Sequence, residues 1–107
     1  MFKITTEPKF THPVTVCVPV DGGFKEQTFP VTFRVLPMDQ LQQEEGSAGQ
    51  IETLRKVVVH MGELVDENDQ PISYSDDIRD QLIQFSFVRL AILKKYIEAM
   101  SKMKAGN

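Results

Sequence analysis

Two histidines, one cysteine and a short acidic run are the side chains whose types permit chemistry in this sequence. His12 and His60 lie far apart, and neither has a second ligand at metal spacing: there is no His-x-x-x-His, Cys-x-x-Cys or His-Glu-x-x-His. Cys17 is the single cysteine, so no internal disulfide framework exists. It sits between Val16 and Val18 in a strand-like run, where a thiol is expected to be inert and at least half-buried. Asp21-Gly22-Gly23 joins two β-type runs, whereas a phosphate cradle needs backbone amides at a helix start, so these residues read as a turn. Asp66-Glu67-Asn68-Asp69 has the composition of a calcium loop but lacks the central glycine and the terminal bidentate glutamate. No convergent set of reactive groups is present. No catalytic residue, cofactor or metal ligand is therefore assigned, and a non-enzymatic binding protein is expected.

The elements that must position any site fall into two blocks, giving an expected α+β fold in a single domain over residues 1–107, β-rich over 1–37 and helical over 38–104. Val14, Val16, Val18 and Val20 alternate with Thr15, Cys17 and Pro19, and Phe29, Val31, Phe33 and Val35 alternate with Thr28, Pro30, Thr32 and Arg34. Both runs have the period of a strand with one buried face, and the intervening glycines predict an antiparallel hairpin, 14–20 against 28–36. Pro19 and Pro30 lack an amide donor, so each must sit at an edge or a non-bonded position. Phe2-Lys3-Ile4 is a candidate third strand.

After Pro37 the period changes to 3.6, and three to four helices are expected. Residues 39–45 suit a short helix ended by Gly46. Ser47 and Gln50 have capping-box spacing, with Ile51, Leu54, Val58 and Met61 on one stripe, although Val57-Val58-Val59 is β-branched and weakens the helix end. The segment from Leu64 to Ile72 suits an exposed loop or a small second hairpin. Ser75 predicts an N-cap, with Asp76 and Asp77 at the positive end of the helix dipole. Ile78, Leu82 and Phe85 give that helix one apolar face, Phe85-Ser86-Phe87 a break, and a last helix runs from about Val88 to Met103.

That last helix is too apolar for the job of covering a core. At about 100° per residue, Leu90, Ile92, Leu93, Tyr96, Ile97, Ala99, Met100 and Met103 fill an arc of roughly 180°, interrupted by Arg89 and Lys104. A surface helix needs a stripe only a little over about 100° wide. The surplus must pack against another helix of the same domain, a second copy, or a client protein. Leu90, Leu93, Ile97 and Met100, with Phe85 and Phe87 at the helix junction, are the candidate protein-binding residues.

Net charge is −3, with +1 over residues 1–38, −8 over 39–80 and +4 over 81–107. An acidic middle and a basic end suit mutual attraction within or between copies, or simply a solvated surface. The bases Arg89, Lys94, Lys95, Lys102 and Lys104 come with no helix-turn-helix or aromatic stacking platform, so nucleic acid is not the expected partner. No apolar run approaches the ~20 residues of a membrane span, and the first residues lack the apolar stretch of a signal peptide. A cytoplasmic setting without membrane contact is expected.

The order of features resembles a known family. A valine-rich strand and glycine turn lead to Phe29-Pro30-Val31-Thr32-Phe33-Arg34-Val35-Leu36, then to an acidic helical segment and Val57-Val58-Val59-His60-Met61. Next come Val65-Asp66-Glu67-Asn68-Asp69-Gln70-Pro71-Ile72-Ser73-Tyr74-Ser75 and a closing helix, Val88-Arg89-Leu90-Ala91-Ile92 to Tyr96. Over almost the whole chain this is similar to the tail assembly chaperones of long-tailed (siphovirus-type) bacteriophages. One departure is that family members often carry Gly-Trp where this chain has His60-Met61, with Gly62 one place later. The resemblance implies a non-enzymatic protein of the host bacterial cytoplasm that holds the tape-measure protein, helps recruit tail tube subunits, and leaves before the virion is complete. It also implies that a fraction of the chains is extended at the C-terminus by a programmed frameshift. Homo-oligomerisation along the client would fit the surplus apolar surface. The competing expectations are a structural phage minor tail or connector protein and a small nucleic-acid-binding adaptor.

Overall fold

The computed structural model describes residues 1–40 and 46–101, and it has the expected α+β architecture. Strands β1 (Lys9–Val20) and β2 (Gly23–Arg34) form a long antiparallel hairpin, paired residue for residue from Lys9↔Arg34 to Val20↔Gly23. Gly22 closes it at φ +78°, a conformation in which a side chain would be strained. The strands start earlier than the expected 14–20 and 28–36, because Lys9–Pro13 and Gly23–Gln27 join the ladder despite weaker alternation, whereas β2 ends at Arg34 and leaves the expected Val35 and Leu36 outside it.

Pro13 lies opposite Pro30. Two prolines can face each other only in a pair that exchanges no backbone hydrogen bonds, so this register fixes the phase of the whole ladder. The same phase brings cross-strand side chains close on the solvent face, where the hydroxyls of Thr11 and Thr32 (2.8 Å) and of Thr15 and Thr28 (2.9 Å) are hydrogen-bonded. On the opposite face Val14, Val16, Val31 and Phe33 are buried. Cys17 is exposed on the threonine face, contrary to the expectation of a half-buried thiol.

The third strand of the sheet is not Phe2-Lys3-Ile4, which stays outside it, but β3 (Val58–Met61), giving the order β1-β2-β3. β3 follows α1 (Gly46–Val57) with no intervening residue. The helical stripe through Val58 and Met61 is therefore corrected: Leu54 belongs to the helix, whereas Val58 and Met61 fill the core from a strand. β-Branched residues fit a pleated surface better than a helix, and the free edge of β2 supplies backbone partners. The capping-box expectation also changes, because the Gln50 amide oxygen accepts a hydrogen bond from Arg89 Nε (3.0 Å). Gly62 ends β3 with its N–H donated to the Pro30 carbonyl (2.9 Å), and a Cβ there would stand 2.9 Å from Pro30 Cγ. That close approach requires glycine at this place.

The acidic segment is a small hairpin, β4 (Leu64–Val65) with β5 (Pro71–Ile72). Asp66 organises its turn, its Oδ1 accepting from the N–H groups of Asn68 (2.8 Å) and Gln70 (3.0 Å). Helix α2 (Asp76–Leu82) starts at the expected cap, with Ser75 Oγ accepting from Ile78 N–H (3.1 Å). Helix α3 (Ser86–Ser101) begins two residues earlier than expected. Met38–Gln40 form one 3-10 turn, and the rest of the expected 39–45 helix lies outside the described residues, as do Met103 and the other residues after Ser101.

The core lies between the sheet and the helices. Phe10 stacks on Phe33 and Tyr96, which are tilted to each other, with ring centroids 5.3 to 6.1 Å apart, and Val14, Val31, Leu54, Ile83 and Ile92 are among the residues packed with them. Two buried arginines join the elements around this core. Arg79 donates to the carbonyls of Arg55 (3.2 Å) and Val58 (3.5 Å), at the point where α1 becomes β3, and pairs with Asp80 (3.0 Å) and Asp76 (3.4 Å). Burial works to lower the pKa of Arg79, but its hydrogen bond to Asp80 and the neighbouring charges outweigh this and raise it. Arg89 donates to the carbonyls of Ile83 (2.9 Å) and Gln84 (3.3 Å), capping the end of α2.

Candidate functional site

Helix α3 lies across the sheet beside β1 and shows two apolar faces. Val88, Ile92 and Tyr96 point into the core, and Arg89, which interrupts the arc in sequence, turns inward to cap α2. Ala91 and Leu93 are partly buried against the core. Leu90 (49% exposed), Ile97 (54%) and Met100 (41%) point outward. Leu90 and Ile97 are seven residues apart, as are Leu93 and Met100, so these four form a stripe with the 3.5-residue spacing of a helix–helix seam. The short helix α2 does not cover it.

The α2–α3 junction extends this surface. Phe85 is 55% exposed and Phe87 partly buried, with ring centroids 5.7 Å apart. Both line a mainly apolar pocket of about 310 Å³, bounded by Val16 and Val18 of β1, Phe29 of β2, Leu64 and Val65 of β4, and Leu82 of α2. Phe87 also borders a second, open groove of about 440 Å³ between α3 and the outer edge of β1, lined by Thr15, Cys17, Leu90, Lys94 and Glu98 among others. Beyond the pocket the hairpin projects from the core, and Val20 and Phe24 at its tip are exposed.

The structure thus brings Phe85, Phe87 and Leu90 together at one end of α3 and sets Ile97 and Met100 at the other, with Leu93 between them at the edge of the core. Sequence reasoning did not find the pocket, because its walls come from five separate elements. It also missed the exposed Val20 and Phe24, since alternation along a strand does not reveal how much of the strand a helix covers.

The charges around this surface are few. Lys95 Nζ lies 3.5 Å from Glu98, and Arg89 is buried, so among the described residues Lys94 is the α3 cation facing the groove without an ion pair. No cluster of three or more potential metal ligands occurs among the described residues, and no described helix is long and apolar enough to cross a membrane. His60 is exposed and stacks near Tyr74, with centroids 5.3 Å apart, while His12 packs edge-on to Phe10 at 5.2 Å. The two histidines belong to different surroundings and do not form a common site.

The sequence matches no protein-family model, no curated protein and no solved structure at a significant level.

Proposed function

We propose that this chain is a tail assembly chaperone of a long-tailed bacteriophage, a non-enzymatic protein that binds the helical tape-measure protein through the outer face of α3 and helps recruit tail tube subunits. The reading combines the resemblance in the order of features with one observation of the fold. Leu90, Ile97 and Met100 stay exposed on a helix whose opposite face already fills the core. An apolar stripe at helix–helix spacing suits a long amphipathic helix as its partner, and pliable methionine suits a repetitive client with varied side chains. In this reading the protein works in the host cytoplasm and is absent from the finished virion.

The test is co-expression with a tape-measure protein of a long-tailed bacteriophage, taken from the long reading frame expected downstream of the gene, followed by affinity capture. Native chain should retain the client, whereas Ile97→Asp should lose it while keeping its own melting temperature. Retention of the client by a folded Ile97→Asp protein would remove α3 as the binding face. Finding the chain in purified particles would instead favour a structural tail or connector protein. The nucleic-acid reading is disfavoured by the burial of Arg89 and the pairing of Lys95.

A further inference from the structure

The phase of the β1–β2 ladder determines what the outer edge of β1 offers. Pro13 opposite Pro30 makes the odd-numbered residues of β1 the ones whose backbone groups point away from β2. The prolines at 13 and 19 bring no donor to that edge, so they interrupt it on either side of Thr15 and Cys17. Between them Thr15 and Cys17 present free N–H and C=O groups, a window about five residues long. The groove between this edge and α3 opens at the same two residues, with Phe87 and Leu90 as its apolar wall.

The chain also contains a segment of matching length and pattern. Residues 1–8 extend from the start of β1 and form no strand, and Phe2 and Ile4 are 87% and 82% exposed. The Pro8 carbonyl still accepts from Val35 N–H and the chain bends at Thr6 and Glu7, but Met1–Thr5 pair with no strand, and apolar residues two apart on such a segment have the pattern of half a strand pair. This arm cannot reach the groove of its own chain. At about 3.4 Å per residue, the window centre at Val16 lies roughly 27 Å along β1 from Pro8, whereas four residues carry Ile4 only about 14 Å and six carry Phe2 about 20 Å.

We propose that the N-terminal arm of one copy adds as a fourth strand to the β1 edge of a second copy, placing Phe2 and Ile4 against Phe87 and Leu90 of the neighbour's α3. Main-chain hydrogen bonds to Thr15 and Cys17 supply the pairing, and the two apolar side chains select the face. Glu7 in the arm and Lys94 at the groove are of opposite charge. This interface goes beyond the client-binding reading and stands without it.

Sedimentation velocity of the full chain across a concentration series tests the proposal. The native protein should self-associate, and Phe2→Asp should weaken association by roughly tenfold or more without changing the fold, since the residue is 87% exposed in the monomer. Thr15→Pro removes an outward-facing amide, which Pro13 and Pro19 already lack, together with the hydroxyl bond to Thr28, and should weaken association similarly. Lys3→Cys places a thiol on the arm face that shares its side with Cys17. Mild oxidation should then yield chains linked through Cys17, and these should vanish in the Lys3→Cys, Cys17→Ser variant. A native chain that stays monomeric, or association unaltered by Phe2→Asp with no linkage through Cys17, overturns the proposal.

Discussion

Ile92 and Ile97 are the same residue five positions apart on one helix, and Ile92 is fully buried while Ile97 is half exposed. Five residues place about 140° between them on the helix wheel, so they face different surroundings. Ile92 belongs to the same buried cluster as Val14, Val31 and Phe33 of the sheet. Ile97 keeps 54% of its surface open to solvent. Apolar content therefore does not say how deeply a residue is buried, and the inner and outer faces of α3 carry unequal shares of the core on that basis.

The comparison is most sharply tested by truncation. Ile92→Ala should cost about 2–5 kcal/mol of unfolding free energy, since it leaves a cavity in a close-packed core. Ile97→Ala should stay within about 0.5 kcal/mol. Urea unfolding of both variants checks this, and equal losses would show that the outer face is also a structural one. A smaller effect separates the cations. Arg89→Met leaves the Ile83 and Gln84 carbonyls without their donor and should cost about 1–3 kcal/mol, whereas Lys94→Met should leave the urea midpoint unchanged.

The smallest expected effect concerns protons. Burial raises the Tyr96 pKa above its ordinary value, against an opposing contribution from a hydrogen bond with the Leu36 backbone. A raised phenol contributes stability that is fully present below the unfolded-state value of about 10 and is lost as pH rises through the folded-state one. The thermal midpoint should therefore fall as pH rises above about 10, and Tyr96→Phe should flatten the fall, leaving the share of Tyr74, which burial also raises. An unchanged alkaline slope in Tyr96→Phe would place the phenol outside the core.

Much of the fold was legible because its signals are local. The valine alternation, the Asp21-Gly22-Gly23 turn and the Ser75 cap each act within a few residues, and each appears where its chemistry demands. The α1–β3 junction was misjudged because Leu54, Val58 and Met61 satisfy a helical stripe as well as a helix followed by a strand. Only the vacant edge of β2 decides between the two. Phe2-Lys3-Ile4 has the pattern of a strand yet lies outside the sheet, since pattern does not supply a neighbour. Arg89 was read as an interruption of the apolar arc and one of the bases of the last helix, whereas the structure turns it inward to the carbonyls at the end of α2.

The sequence by itself determined the main hairpin, the cap of α2 and the excess of apolar surface on α3, because each depends on periodicity or on chemistry between near neighbours. The tertiary structure decided which side of α3 is spent on the core, which strand completes the sheet, where the two arginines are buried, and that Thr15 and Cys17 stand at an open edge. These depend on which surfaces meet across long separations in the chain, and burial is a property of the assembled pair rather than of either partner alone.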